Sequence, residues 1–251
     1  MVRHKITKIA MLCLLVTSGV ATFAQSASTG PNKVYIEQVG NTNTVTIEQV
    51  GGTNNVGGIA NATPSSTNYA TITGSTNTIT LTQTGDSNLG QYNIKGNNNV
   101  YTSNVHGNTN STKLTVGDSS HASNLRNTIT ETITGDTNTI VQNIVGNDIT
   151  STLVISGNLN QVTKDLKSSN GISDVSITGN NNKLDIEQFD VAGANGHYLK
   201  KVIVGDYNSI ITQQQGTNDT TVDLKVAGDH NTITVRTSSS AIINPRTAVA
   251  R

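Results

Sequence analysis

The sequence predicts an all-β chain whose strands stack as a two-sheet β-solenoid, and three features of the residue pattern support this fold. A glycine returns about every eleven residues, usually with an asparagine three positions later. The segments between these glycines are short and alternate between apolar and polar residues. Two strands and two turns take about 22 residues, so each coil can return to its starting position and pair with the next. About nine such coils are predicted.

The alternation is clearest near the N-terminus. Asn43, Val45, Ile47 and Gln49 share one parity, whereas threonine or glutamate fills the positions between them. A period of two indicates a β-strand with one buried face. The same pattern recurs in the segments that begin at Asn32, Asn77, Asn138, Asn182, Asn208 and Asn231.

Asparagine and glutamine fall on the buried parity, which requires an explanation. In a stack of like coils each side-chain amide can bond its equivalent one coil away, at about 4.8 Å spacing. Without such a partner a buried amide costs roughly 1 to 3 kcal/mol. We therefore predict amide ladders, with glycine supplying positive φ at the corners and Asn or Asp beside it tolerating the same region. The positions predicted to form the ladders and to carry self-assembly are Asn32, Gln38, Gly40, Asn43, Gln49, Asn77, Gln83, Gly85, Asn88, Asn182, Gln188, Asn208, Gln214 and Gly216.

The period is interrupted at four places, and each interruption is predicted to be a loop that bulges from the rod. These places lie near residues 55–70, 118–126, 166–172 and 189–198.

Residues 1–24 are predicted to be a secretory signal peptide. Basic residues precede an apolar run over residues 9–16, and small residues follow around position 24. Cys13, the only cysteine, lies inside this run, so the mature chain is expected to lack disulfides and to depend on the stack for stability. Residues 25–237 form the predicted repeat domain, and residues 238–251 form a basic tail.

Composition and charge exclude several classes of protein. Apolar residues make up 33% of the chain and aromatic residues 3%, which alone would indicate disorder, but the repeat argues against that. Removing three basic residues with the signal leaves 13 basic against 16 acidic residues, a net charge of −3. Neither nucleic-acid binding nor membrane insertion is expected.

The spacing from Asn32 through Gln38, Gly40 and Asn43 to Gln49 resembles the repeat of curlin, the subunit of bacterial curli fibres. Partial matches follow at residues 77–88, 182–188 and 208–216. The resemblance implies an extracellular, amyloid-like β-solenoid subunit. It would be exported by a dedicated secretion system, possess a nucleator subunit as partner, and polymerise at the bacterial surface as adhesive biofilm matrix.

Polymerisation also follows from the open ends of a solenoid. The strand over residues 32–39 begins soon after the predicted cleavage point, and no capping segment precedes it. An exposed strand edge is a template for another chain. The basic residues after position 237 are expected to blunt the other edge or to contact a partner.

The sequence also offers features of functions other than self-assembly. Threonines at alternate positions suggest a monomeric surface-binding solenoid, either adhesive or ice-binding, and a flat threonine array in consecutive coils would favour it. In the sequence, however, the threonine runs are intermittent. Gly-Asp turns could stack into a calcium site, but the nine-residue period of calcium-binding β-rolls is missing, so no metal or cofactor is predicted.

No catalytic residue is predicted either. Glu131 falls on the inward parity, which we interpret as a register shift or a wide coil rather than as a buried catalytic acid. No nucleophile elbow, phosphate loop or acid pair occurs. The chain is expected not to be an enzyme.

Overall fold

A computed structural model describes residues 10–13, 19–27, 31–59, 69–117, 126–190, 198–216 and 221–238. Within these ranges the chain forms strands and turns and no helix. The strands are β1 (Ala10–Cys13), β2 (Gly19–Ala27), β3 (Lys33–Val39), β4 (Asn43–Gly51), β5 (Asn55–Gly57), β6 (Ala70–Thr73), β7 (Thr78–Thr84), β8 (Leu89–Lys95), β9 (Val100–His106) and β10 (Ser111–Val116). They continue as β11 (Thr128–Thr134), β12 (Thr139–Val145), β13 (Thr150–Ser156), β14 (Gln161–Lys167), β15 (Ile172–Thr178), β16 (Lys183–Asp190), β17 (Tyr198–Val204), β18 (Ser209–Gly216), β19 (Thr221–Ala227) and β20 (Thr232–Ser238).

The strands alternate between two parallel sheets. Sheet A runs from β1 and β3 through β5 and β6, β8, β10, β12, β14, β16 and β18 to β20. Sheet B runs from β2 through β4, β7, β9, β11, β13, β15 and β17 to β19. Each strand pairs with the strand one coil away, so the chain winds as a two-sheet solenoid of about eight coils. The predicted all-β solenoid is confirmed.

From Asn32 to Asn231, four coils contain 22 residues and the other four are longer. Equivalent positions are separated by 34, 28, 26 and 23 residues in these coils. The longer coils explain why about eight coils form instead of nine. Three of the predicted loops belong to them, and much of each of these loops, residues 60–68, 118–125 and 191–197, lies outside the described residues.

The fourth predicted loop, residues 166–172, is wrong. The chain there makes an ordinary 22-residue coil, in which Ser168 replaces the corner glycine and its N–H donates to the carbonyl of Val145 (3.1 Å). Asn170 adopts the left-handed conformation, with φ 55°. The turn therefore keeps its coil-to-coil hydrogen bond and its left-handed residue two positions later, although Ser168 does not adopt the positive φ of the corner glycines.

The glycine corner is set by close backbone contact. Gly40 has φ 121°, and a Cβ atom placed there would lie 2.0 Å from the carbonyl oxygen of Gly74 in the next coil. The residue two positions later, Thr42, is also left-handed, with φ 59°. A residue with a side chain would clash at the first of these positions, whereas the second admits one.

The core is a thin layer of aliphatic side chains between the two sheets. Val45 and Ile47 of β4 are buried, as the period-two pattern predicts, and Ile79 and Leu81 follow them in β7. At the N-terminal end, β1 pairs with β3 and β2 pairs with β4. Ten of the 24 residues of the predicted signal peptide thus lie in these two strands, and residues 1–9 and 14–18 lie outside the described part of the chain.

Candidate functional site: polar ladders and the threonine face

One asparagine ladder runs the length of the solenoid beside sheet A. At each step the backbone N–H of an asparagine donates to Oδ1 of the asparagine one coil earlier, as Asn54 does to Asn32 (2.9 Å). The side-chain Nδ2 donates to the carbonyl of a corner glycine in the next coil, as Asn88 does to Gly107 (2.7 Å). The ladder contains Asn32, Asn54, Asn88, Asn110, Asn138, Asn160, Asn182, Asn208 and Asn231. These bonds tie each coil to both of its neighbours.

A second asparagine ladder, beside sheet B, is shorter. It contains Asn43, Asn77, Asn99 and Asn127, with the same pattern of hydrogen bonds. The next coil places Ile149 in this position, and only its backbone N–H reaches Oδ1 of Asn127 (2.9 Å). The two edges of the solenoid therefore differ in the C-terminal half.

The glutamines form a much less complete ladder. Gln49 donates from Nε2 to Oε1 of Gln83 across one coil (2.8 Å). Gln38 lies opposite Ile72, and its buried amide has no hydrogen-bond partner among the described residues. A glutamine ladder requires glutamine in consecutive coils of the same sheet, and the sequence rarely provides it.

The predicted ladder positions near the C-terminus differ in arrangement from those near the N-terminus. Gln188 and Gln214 lie opposite each other in β16 and β18, but Nε2 of Gln214 donates instead to the carbonyl of Tyr198 (3.1 Å). Gly216 ends strand β18 opposite Asp190. The four residues that follow it lie outside the described part of the chain.

At the corners that lead from sheet B to sheet A, the residue directly after the glycine forms a further ladder, whereas the sequence pattern alone indicates only turn chemistry there. Oδ1 of Asp86 accepts the backbone N–H of Gly52 (2.6 Å), and Oδ1 of Asn108 accepts that of Asp86 (2.8 Å). The aspartates of the Gly-Asp turns thus bond backbone amides. In the described ranges no three His, Cys, Asp or Glu side chains come together as metal ligands.

A polar cluster interrupts the aliphatic core near the middle of the rod. Glu131 is buried and accepts hydrogen bonds from Oγ of Ser103 (2.9 Å) and from Nε2 of Gln142 (2.8 Å). Its strand keeps normal register with both neighbours. The expectation of a register shift at Glu131 is therefore wrong, whereas the coil that leads to it is one of the longer ones, with a separation of 28 residues from Ser103 to Glu131. Polar partners in the adjacent coil and the opposite sheet accommodate the carboxyl group.

Two buried lysines continue this cluster toward the C-terminus. Nζ of Lys164 donates to Oγ of Ser151 (2.7 Å), whereas Nζ of Lys201 has no hydrogen-bond partner among the described residues. Burial lowers the pKa of each lysine to about 7. Burial also raises the pKa of Glu131 to about 7, against the opposing effect of its two hydrogen bonds and of Lys164.

The outer surface of sheet B carries a regular array of threonines. The second outward position is threonine in five consecutive coils, and these residues stand directly opposite one another. They are Thr46, Thr80, Thr102, Thr130 and Thr152. We define the threonine face as the outward residues of β7, β9, β11 and β13, of which eleven of sixteen are threonine and none is Asp, Glu, Lys or Arg.

The threonine runs appear intermittent in the sequence because strands of sheet A lie between them. Once alternate strands are assigned to separate sheets, the array is present in every coil from β4 to β13. The outer surface of sheet A is different, with charged residues such as Lys113, Asp165 and Lys183. Pairing each strand with the one 22 residues later would have revealed this face.

A comparison with known protein families finds a match, and it lies in the ladder region. Residues 43–85, which span β4 to β7 and include Asn43, Gln49 and Gln83, match the model of the curlin associated repeat. This segment is similar to the curlin associated repeat. The curlin repeat is that of a structural, non-enzymatic family of subunits. No curated protein and no solved structure matched the chain. The described residues include no helix long and apolar enough to cross a membrane.

Proposed function

We propose that this protein is a secreted, self-assembling subunit of curli-like extracellular fibres, which contribute to bacterial biofilm matrix and surface adhesion. The observation that carries the proposal is a curlin-repeat solenoid whose coils are joined by one continuous ladder. Such a stack can be extended by another copy, because an incoming coil meets the same hydrogen-bonding groups as every internal coil. Two unlike ends that fit each other generate an open filament.

The sheet A ladder supplies the fit between the ends. In each earlier coil, Oδ1 of the ladder asparagine accepts the N–H of the asparagine one coil later. Asn231 is the last ladder member in the described residues, and Asn32 is the first. Stacking β3 of a second copy on β20 would let Asn231 bond Asn32 of that copy in the same way.

The same stacking pairs opposite charges. The register along sheet A places Lys33 and Thr232 in one outward column, with Glu37 and Arg236 in another. In the filament, Glu37 of one copy would therefore lie beside Arg236 of the next. A pair of this kind contributes little energy at a surface, but like charges in its place oppose association.

The predicted signal peptide would prevent assembly before export. Strand β1 pairs with β3 and therefore occupies the edge on which growth would occur. Cleavage after residue 24 during export would remove β1 and most of β2, and the edge of β3 would open only outside the cytoplasm. A nucleator subunit and a curli-type secretion system are the expected partners.

The experiment follows thioflavin fluorescence and electron microscopy of the purified chain from residue 25 onward. Wild type should form fibres after a lag. Glu37→Arg and Arg236→Glu should each lengthen the lag several-fold, and the double variant should restore it. Lys113→Glu, in the middle of sheet A between Gln91 and Val141 and away from both ends, serves as the charge-reversal control and should change the lag little.

Two outcomes would contradict the proposal at different levels. A wild-type chain that stays monomeric for days would refute the fibre function. Fibres that form at the wild-type rate from both single variants would leave self-assembly standing and refute the contact between β3 and β20.

A further inference from the structure

The threonine face forms a second surface whose chemistry is unrelated to the growing ends. We propose that it is an ice-binding site, which holds a layer of ordered water that matches the surface of an ice crystal. The inference does not depend on fibre formation, because a single copy carries the whole face. It rests on the regularity, stiffness and composition of the face.

Regularity comes from the solenoid itself. Parallel coils place equivalent residues about 4.8 Å apart, and alternate residues along a strand stand about 6.6 Å apart. Thr80, Thr102 and Thr130 lie in one such row, in strict register. The hydroxyl and methyl groups thus follow a two-dimensional grid over four strands, roughly 400 Å² in area. The row that contains Thr102 is complete, and the five other residues on the grid are Val100, Asn104, His106, Val154 and Ser156. Water positions on the faces of ice also repeat in a grid of this order.

Stiffness comes from the threonine side chain. Its branched Cβ restricts rotation about χ1, so hydroxyl and methyl groups keep fixed directions in a strand. Little rotamer freedom remains to be lost when the face orders water, and a preorganised surface binds with a smaller entropic cost. Serine would present the same hydroxyl without this restriction.

Composition excludes the other common partners of a flat protein surface. The face has no lysine or arginine, which nucleic-acid binding requires. It has no phenylalanine, tyrosine or tryptophan, so it offers no aromatic platform for a polysaccharide; Tyr101 of β9 points into the core. Its charge-free character ends where Asp174 of β15 and Lys200 of β17 continue the central row.

The test is ice-affinity partition of freshly purified, unassembled protein, in which a slowly growing ice hemisphere captures binders and excludes other solutes. The wild type should be enriched in the ice at least threefold over an inert protein of similar size. Thr102→Lys places a long charged side chain at the centre of the face and should reduce enrichment to the inert level. Thr102→Val keeps the branched shape and should retain at least half of the enrichment.

A matched control lies on the opposite surface. Thr163 holds the same outward strand position in β14 of sheet A, beside Val141 and Asp185. Thr163→Lys should leave ice enrichment within twofold of wild type. Circular dichroism of each variant establishes that the solenoid is intact.

Three results would overturn the proposal. The first is a wild-type protein excluded from ice like the inert reference. The second is equal loss of enrichment in Thr102→Lys and Thr163→Lys. The third is a lateral dimer, detected by sedimentation, that Thr102→Lys abolishes while the wild type shows no ice enrichment; a second copy of the chain would then be the occupant of the face.

Discussion

Replacing Lys201 with methionine should stabilise the solenoid in a pH-dependent manner. The Lys201 side chain is fully buried, and its Nζ atom has no hydrogen-bond partner among the described residues. Burial lowers its pKa from 10.5 to about 7, assisted by the charge of Lys164 and opposed by Asp185. Methionine has a similar length and carries no charge, so Lys201→Met removes the cost of burying the ammonium group.

The direction of this pH dependence follows from proton binding in the folded and unfolded states. Between about pH 7 and pH 10.5 the unfolded lysine carries a proton that the folded lysine has lost, so wild-type stability rises with pH across this window. Below pH 7 both states are protonated and the full cost remains. The difference between the two pKa values corresponds to roughly 5 kcal/mol. The variant should therefore gain about that much at pH 6 and less than about 1 kcal/mol near pH 10.5.

The assay is urea unfolding of dilute, unassembled chain at pH 6, 8 and 10, followed by far-ultraviolet circular dichroism. Lys200→Met, on the outward side of the same strand, is the matched control and should change stability by no more than about 0.5 kcal/mol at any pH. A Lys201→Met variant that gains the same stability at pH 6 and pH 10, or loses stability at pH 6, would refute the burial argument.

Three further substitutions test the ladders and the corners. Gln49→Lys places an unpaired charge in the position that bonds Gln83, so the onset of thioflavin fluorescence should be delayed several-fold. Its control is Thr46→Lys, on the outer surface of the same strand, which should preserve the urea midpoint. An unchanged lag in Gln49→Lys would contradict the templating role of the N-terminal coils. Gly107→Ala puts a Cβ atom 2.1 Å from the carbonyl oxygen of Gly135 and should cost about 3 kcal/mol in urea unfolding; a cost below about 1 kcal/mol would show that the corner can relax. Asn110→Ala removes the side-chain bonds to the coils before and after it and should lower stability by about 3 kcal/mol, whereas Ser111→Ala beside it should be nearly neutral.

Much of the fold follows from local pattern, since parity alone determines which side chains of a strand face the core. Val45 and Ile47 are buried because they share parity with Asn43, and Gly40 makes the corner because its φ excludes other residues. The corner at Ser168 could not be predicted in this way, because there the backbone hydrogen bonds of the neighbouring coil hold the turn without glycine.

The site was harder to predict because its contacts cross from one coil to the next. Glu131 meets Ser103 and Gln142 across sequence separations of 28 and 11 residues. The threonine rows and the extra aspartate and asparagine ladder at the corners likewise depend on which strands belong to the same sheet. Local alternation identifies a strand, but coil length decides its neighbours.

The variable coil length has a practical consequence for display of foreign sequence. In the 34-residue coil, β5 and β6 together fill the place of one strand, and β3 and β8 on either side keep their register with both. The stack thus tolerates twelve residues beyond the 22 of an ordinary coil at this point. A peptide tag or small enzyme inserted there would recur once per subunit, at intervals of roughly 40 Å along an assembled fibre.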